Sequence, residues 1–572
     1  MKLKPRDYQR EAAKWALEEE KAVIIMPTGA GKTLIASIWV DELMKKGKIR
    51  KVLFLEPTRF LVEQNARFLR DQGLDASPVH GSLPKGLRER GWSSKVVVAT
   101  PEVVLADWDK FEGEKFDAVV VDECHHTTGK DAYLKVVRSG DFKYRLGLSA
   151  YIPPSRRKEI EDSIGRIRSW GWDDPRIAPY IPEWGAEVYE APLTAKELSI
   201  YEAMESLWES HHGPERALLG NAIRWFVRDG ALALLESLDN SIRLSKLLGS
   251  LREDLSKVRQ LHKLESLKRA LRDHEGFEKS IIFVERVSVA RAIAKELGEA
   301  VLILGRRRID PKEAITRAKM PENKLIVSTS AGEEGIDLPE SDLLIIWSNV
   351  ASPLRFIQRI GRVLRAGKRR KHKWVVFLVT PDTVDVDSLI DGLLQARKAG
   401  ISVNVSEEVV EYVWSLSRRR KFLEALDEEP MPVDILSKAL GAPLDRSREA
   451  LRWLCSKGLA FYIFTPAGKV YFTKGSLGKL KSKFAPYLKP EPITAKIRAR
   501  DDREISLRGD YEKAITKLSK IREFSWIHFS TTVMDRGVER LINLTYSFRV
   551  SDQEVLDVIL RNAYSARRIY SP

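Results

Sequence analysis

The sequence predicts an α/β protein with two tandem parallel sheets, a helical insertion between them and two smaller modules behind. Three observations predict this. From Ala22 to Ala150, short apolar runs ("AVIIM", "KVLFLEP", "KVVVATP", "DAVVVDE", "RLGLSA") alternate with helical patterns. Runs that are apolar throughout suit strands covered on both faces. A second series of the same kind ("SIIFV", "AVLIL", "KLIVSTS", "DLLIIW", "WVVFLVTP") runs from Ser280 to Thr380. Between the two series the strand signals give way to helical periodicity in "TAKELSIYEAMESLWES" and "KVRQLHKLESLKRALRD".

The expected organisation is a first α/β domain over 1–192, a helical insertion over 193–275 and a second α/β domain over 276–404. Behind them, three short helices ("RRRKFLEAL", "VDILSKALG", "LDRSREALRWLCSKG") precede a hairpin pattern around Pro466-Ala467-Gly468. That order predicts a winged-helix domain over 405–480. The last segment, 481–572, is mixed and basic and carries no readable motif; its acids are scattered in "RARDDREI" with no nuclease constellation.

Bulk properties narrow the function. The chain has 572 residues, 43% hydrophobic and 31% charged, as expected of a multi-domain globular protein. Abundant Lys, Arg and Glu with few Cys and Met match a heat-adapted composition. A net charge of +16 favours a polyanionic partner, nucleic acid first. The N-terminus lacks the apolar core of a signal peptide and no run approaches a membrane span, so the expectation is a cytoplasmic protein without membrane contact. Cys124 and Cys455 are too few for a disulfide framework. Cys124, His125 and His126 are adjacent and point to different sides of the backbone, which disfavours a zinc site.

The chemistry concentrates in two stretches. "MPTGAGKT" follows a strand and precedes a helix, as a phosphate-binding loop does. Pro27, Thr28, Gly29, Ala30 and Gly31 form the turn. The glycines let backbone N–H groups face phosphate, Lys32 meets the β and γ phosphates, and Thr33 offers a hydroxyl to Mg²⁺. Met26 stands where the strict pattern has Gly or a small residue. The second stretch is "VVVDECHH": Asp122 at a strand tip to hold the metal, and Glu123 to polarise the attacking water. ATP and Mg²⁺ are therefore the expected cofactors.

With both stretches in hand, the chain resembles a superfamily 2 helicase of the DECH-box type, in an ordered set of motifs from Arg6 to Arg365. The resemblance implies two RecA-like domains. "PRDYQ" resembles the adenine motif, implying contacts from Arg6 and Gln9. "PTRFLVEQ", with Thr58 and Arg59, and Thr100, Pro101 and Glu102 in "TPE" resemble the segments that hold the nucleic-acid backbone. "LSAYIP" sits where the family couples hydrolysis to strand movement, through Ser149 and Ala150, with Tyr151 replacing the usual small Thr or Ser; His125 is expected to hydrogen-bond toward the other domain. "VSTSAGEEGIDLPESD" resembles the fifth motif, Thr329 touching the strand and Gly335 and Asp337 the nucleotide. "QRIGRVLR" resembles the sixth, with Gln358 sensing the triphosphate and Arg362 and Arg365 as arginine fingers.

Within the family, the insertion resembles archaeal Hef and its FANCM relatives, and "QRIGRVLRAGKRRK" resembles XPB-type repair helicases. The implied activity is an ATP-dependent DNA helicase or translocase on branched or forked DNA in repair or recombination, moving 3′ to 5′. An RNA-dependent DECH-box ATPase and an ATP-switched clamp without processive unwinding are the alternatives. In the predicted winged helix, Arg446, Arg448 and Arg452 lie at helical spacing to face a duplex, with Leu451 and Leu454 turned inward. Trp170, Trp172 and Trp184 are expected in the core, stacking on bases being the other reading.

Overall fold

The computed structural model describes the chain except residues 1, 28, 109–115, 130, 172–173, 181–183, 259, 305–310, 330–337, 351, 353–354, 356–357, 362–372, 399–405, 502, 522, 536 and 571–572. It divides into two compact units, Met1–Leu416 and Ser417–Pro572.

In the first unit, β1 (Lys21–Ile25), β2 (Val52–Leu55), β3 (Ala76–Val79), β4 (Val96–Ala99), β5 (Ala118–Val121), β6 (Tyr144–Ser149) and β7 (Arg166–Ser169) form one sheet in the order β3-β4-β2-β5-β6-β1-β7. All neighbours are parallel. The interior strands β2, β4 and β5 are buried at every residue, as their unbroken apolar runs require. Helix α1 (Asp7–Glu19) leads into β1, and α2 (Lys32–Lys45), α3 (Arg59–Asp71), α4 (Lys85–Trp92), α5 (Pro101–Ala106), α6 (Ala132–Ser139) and α7 (Pro154–Ser163) connect the strands. Trp170 is 2% exposed and meets Trp15 edge to face, so it is core.

A second parallel sheet holds β8 (Trp184–Glu190), β9 (Ser280–Phe283), β10 (Val301–Ile303), β11 (Leu325–Ser328), β12 (Leu343–Ile346) and β13 (Lys373–Val379), in the order β10-β11-β9-β12-β13-β8. Here the domain borders differ from the expectation. β8, inside the expected first domain, pairs with β13 along its whole length, from Trp184 opposite Lys373 to Glu190 opposite Val379. The chain thus enters the second sheet before the insertion begins. Trp184 is buried there; Trp172 lies outside the described residues.

The insertion comprises α8 (Ala195–Ser210), α9 (Gly213–Asp229), α10 (Ala231–Asp239), α11 (Ile242–Leu248) and α12 (Arg252–Ser256). Its core is built from Ile200, Met204, Leu219, Phe226, Leu234 and Leu255. The next helix, α13 (Leu264–Asp273), turns Leu264, Leu267 and Ala270 into the core of the second sheet and so packs with that domain.

In the second unit, helix Arg420–Glu428, strand β14 (Met431–Pro432), helices Val433–Ala439 and Leu444–Lys457, and the hairpin β15 (Phe461–Thr465) and β16 (Gly468–Phe472) follow in winged-helix order. The sheet order is β14-β16-β15, all antiparallel. Residues 481–572 add a four-stranded antiparallel sheet of β17 (Ala495–Asp501), β18 (Arg503–Gly509), β19 (Trp526–Asp535) and β20 (Val538–Tyr546), ordered β18-β17-β19-β20. This segment shares a core with the winged helix. Asn562, fully buried, accepts hydrogen bonds from Phe464 N at 2.8 Å and the Tyr546 hydroxyl at 2.8 Å, and donates to Phe464 O at 2.9 Å. Among the described residues, no helix is long and apolar enough to cross a membrane.

Candidate ATP and nucleic-acid site

Parallel strands deliver the loops at their carboxyl ends to one edge, and the first sheet uses that edge. β6 lies between β1 and β5. The loop after β1 is the glycine-rich turn, the loop after β5 begins with Asp122, and β6 itself ends at Ser149. Three segments far apart in sequence thus emerge side by side.

The glycine-rich turn has the backbone its chemistry needs. Gly29 and Gly31 have φ of +82° and +80°, a region costly to residues with a Cβ. A Cβ on Gly31 would also run into the Gln9 amide. Gly31 caps the N-terminus of α2, whose first residues are Lys32 and Thr33. The Lys32 ammonium donates to Met26 O at 3.3 Å and Pro27 O at 3.5 Å, curled across the turn. Pro27 and Ala30 are buried, and Thr28 lies outside the described residues. The Met26 side chain is fully buried in the core, so it points away from the turn's open side.

Gln9 donates to Ala30 O at 2.8 Å and accepts from the Arg6 backbone N–H at 2.9 Å, tying α1 to the turn. Tyr8 donates to the same carbonyl at 3.0 Å. The Arg6 guanidinium lies 3.9 Å from the centroid of the Tyr180 ring, which is 42% exposed. The sequence reading missed Tyr8 and Tyr180. The tyrosine inside "PRDYQ" was a signal for the first; nothing local marked the second.

Glu123 has φ +49°, a left-handed conformation that turns the chain sharply off β5. Asp122 accepts a hydrogen bond from the Glu123 N–H at 3.0 Å. Burial and the Glu123 charge push the Asp122 carboxyl up to about 6, against the opposing pull of Lys32. Burial would raise Glu123 as well, but its hydrogen bond to His125 and the charges of His125 and Lys32 outweigh this and hold it at about 2. Glu123 thus stays ionised to lower pH than Asp122. Glu56, buried beyond β2, was also missed: its own burial and the Asp122 charge keep its carboxyl well above the usual range, and it accepts from Asn65 at 2.5 Å.

The predicted coupling residues meet. His125 Nδ1 lies 3.3 Å from Glu123 Oε2 and 3.1 Å from the Ser149 hydroxyl. That hydroxyl donates to Tyr151 O at 2.8 Å and accepts from Tyr151 N at 3.3 Å. A relay therefore runs Glu123, His125, Ser149, Tyr151, with Ala150 buried inside it. Tyr151 enters through its backbone, which a threonine would supply equally. Tyr151→Thr should therefore preserve ATP hydrolysis and, by adding a small hydroxyl at the sheet edge, raise strand displacement per ATP. Both quantities measured on one forked duplex check this; a joint fall would mean that the phenol's packing matters more.

Thr58 caps α3, accepting from Leu61 N at 3.2 Å, and Arg59 beside it is exposed. Thr100 precedes α5, whose first residues are buried Pro101 and exposed Glu102. Both helix N-termini open on the same edge, where their free N–H groups suit phosphate. On the second sheet, Thr329 follows β11 and is 3% exposed. Gln358 is 2% exposed and neither amide atom has a hydrogen-bond partner among the described residues. Gly335, Asp337, Arg362 and Arg365 lie outside the described residues. A further residue of the sixth motif went unpredicted. Arg359, 1% exposed, donates to Ser348 O and pairs with Glu285, which Arg355 also grips at 2.6 Å.

In the second unit, Arg448 and Arg452 are exposed on helix Leu444–Lys457 and Arg446 is half-buried, while Leu451 and Leu454 are fully buried. Arg448 shares its charge with Asp445 at 3.5 Å.

The residues present fit a nucleoside triphosphate and a divalent cation. The turn at Gly31 leaves no room for a side chain, and buried His125 Nε2 has no hydrogen-bond partner among the described residues.

The sequence matches two known families. Residues 2–153 match the family described as the res subunit of type III restriction enzymes, and residues 262–367 match the helicase conserved C-terminal domain. The DNA 3'-5' translocase XPB2 of Sulfurisphaera tokodaii is 26% identical over 413 residues, 67% of this chain and 83% of that protein. MJ1505 of Methanocaldococcus jannaschii, provisionally named an ATP-dependent RNA helicase, is 27% identical over 443 residues, 64% of this chain and 56% of its own length. The Hef helicase domain of Pyrococcus furiosus aligns with a TM-score of 0.46 at 24% identity, covering 67% of this chain and 96% of that one. With a P-loop, a DECH box and both family matches in order along it, the chain is similar to superfamily 2 helicases of the DECH-box type.

Proposed function

We propose that the protein is an ATP-dependent DNA helicase or translocase that acts on branched or forked DNA in repair or recombination, moving 3′ to 5′. The observation that carries this reading is the single sheet edge holding the glycine-rich turn, the Asp122–Glu123 pair and the Ser149 relay beside the N-termini of α3 and α5. ATP chemistry and strand contact then share one rigid platform.

Thr33 and Asp122 would hold Mg²⁺, and the cation would offset phosphate charge. Lys32 and the turn's N–H groups bind the phosphates. Glu123 orients and deprotonates the attacking water, its carboxylate steadied by His125. His125 passes any shift of Glu123 to Ser149 and so to the segment after β6. Arg362, Arg365 and Gln358 complete the site from the second domain, making turnover depend on closure. Arg446, Arg448 and Arg452 contact duplex phosphates.

ATPase stimulation by single-stranded DNA, duplex, fork and RNA, measured side by side with strand displacement, tests the reading. Fork-stimulated hydrolysis with displacement is expected. Stimulation by RNA alone would favour the RNA-dependent ATPase, and hydrolysis with no displacement on any fork would favour the clamp. Exposed Arg59 supplies a finer check: Arg59→Ala should weaken binding to unrelated DNA sequences about equally and flatten the salt dependence by about one phosphate contact, seen in binding isotherms across a salt series.

A further inference from the structure

The C-terminal sheet has one face with no part in the reading above. Its inner face is closed: Ile497, Ala499, Ile527, Phe529, Leu544 and Tyr546 are buried, and Phe529 meets Tyr564 of helix Gln553–Tyr564 edge to face. Strand alternation sends Lys496, Arg498 and Arg500 of β17 to the other face, where all three are exposed. Arg508 of β18 joins them, directly opposite Lys496.

Three features of that face point to one kind of ligand. The first is charge. Glu504 serves Arg498 at 2.5 Å and Arg500 at 3.6 Å. Lys496 and Arg508 oppose each other as like charges, and none of the ion pairs among the described residues involves either. Like charges directly across a ladder repel, so an anion bridging them would be welcome. The second is aromatic. Trp526 and His528 of β19 stand half-buried on this face with rings 5.7 Å apart and only 10° from parallel. The third is register: Arg500 lies opposite Trp526 and Arg498 opposite His528, so each flat ring has a guanidinium as cross-strand neighbour. The face continues along β19 into Thr532, opposite Leu541 of β20, which is 69% exposed, and into Met534, which is 60% exposed.

Cations alone would suit any polyanion. Rings stacked in parallel on an open face, each flanked by a guanidinium, suit a chain that alternates flat bases with phosphates. A duplex hides its base faces, and a lipid or acidic protein surface has none. We infer that this face binds single-stranded DNA, with Trp526 and His528 stacking on bases and Lys496, Arg498, Arg500 and Arg508 holding phosphates. The choice of DNA over RNA rests on the function proposed above. The sheet would then hold the strand that the motor releases, giving residues 481–572 a task.

The test uses the full chain without nucleotide, so an inactive motor leaves the readout untouched. Fluorescence anisotropy with labelled oligothymidine and oligouridine is measured for the unmodified protein, and with oligothymidine for Trp526→Ala, Trp526→Phe and the double variant Lys496→Gln/Arg508→Gln. A bromodeoxyuridine oligonucleotide then maps the photocrosslink. Trp526→Ala should weaken binding by about tenfold, Trp526→Phe should recover most of it, and the double variant should weaken binding and reduce its salt dependence. Crosslinks should fall on Trp526 or His528 and should persist in Arg59→Ala, which impairs only the motor's contact. The double variant changes surface residues alone, so it decides the matter even if Trp526→Ala fails to fold. Unchanged affinity in the folded double variant with crosslinks confined to residues 1–416, or tighter binding of oligouridine RNA than of oligothymidine, would overturn the assignment.

Discussion

Glu123→Gln should lower ATP turnover by about 10²–10⁴-fold while leaving ATP affinity nearly intact. The substitution keeps the size of the side chain and its reach toward His125 Nδ1, now 3.3 Å away, but removes the charge that would accept a proton from water. Burial does not favour that charge; the hydrogen bond to His125 and the Lys32 ammonium maintain it. A neutral amide needs no such support, so folding should not suffer. Lys32→Ala divides the effects the other way, weakening nucleotide binding first, because Lys32 heads α2 and crosses the turn. Isothermal titration with ATP beside steady-state phosphate release separates the two. Near-unmodified turnover in a folded Glu123→Gln protein would mean that "DECHH" is not half of an ATP site.

What could be read in advance follows from where the information lies along the chain. The interior strands were legible because burial on both faces leaves an unbroken apolar run, as in "VVVA" and "AVVV". The edge strands were not. β3 contains Ser77 and Pro78, and β7 is "RIRS" with one neighbour only; an edge can carry charge and a proline that an interior strand would reject. β8 was misplaced for a different reason: its partner β13 lies almost two hundred residues on, and no local pattern announces such a pairing. The site divides the same way. The glycine-rich turn and DECH box are compact words whose spacing is their chemistry. Tyr180 across Arg6, and Glu285 under Arg355 and Arg359, are juxtapositions made by the fold. The C-terminal sheet was unreadable because "KIRARD" alternates small apolar residues with cations, a pattern that resembles a solvated segment until its neighbours are known.

Lys263→Ala should destabilise the second α/β domain by about 3–5 kcal/mol, a large share of an ordinary domain's stability. Lys263 and Asp385 are both completely buried, and the ammonium donates to Asp385 Oδ2 at 2.6 Å, Trp347 O at 2.9 Å and Leu378 O at 3.1 Å. The same carboxylate accepts from Thr380 N at 3.0 Å and Asn349 Nδ2 at 3.2 Å. One side chain at the head of α13 thus gathers the ends of β12 and β13 and the chain that leads on to Gln358. Burial lowers the affinity of Lys263 for its proton, but Asp385 and Asp229 oppose that loss. Removing the cation strands the Asp385 charge in the core, and Lys263→Met, which preserves volume, should cost nearly as much for the same reason. The double variant Lys263→Met/Asp385→Leu removes both charges and should recover the part of the loss that comes from the stranded charge, leaving the Thr380 N–H and Trp347 O without these partners. Thermal melts of these variants and of Asp385→Leu alone, with hydrogen exchange to locate the opening in β12 and β13, measure the cycle. A Lys263→Met melt matching the unmodified protein would show that the pair is not what holds these strands together, and that packing of Leu264 and Leu267 suffices.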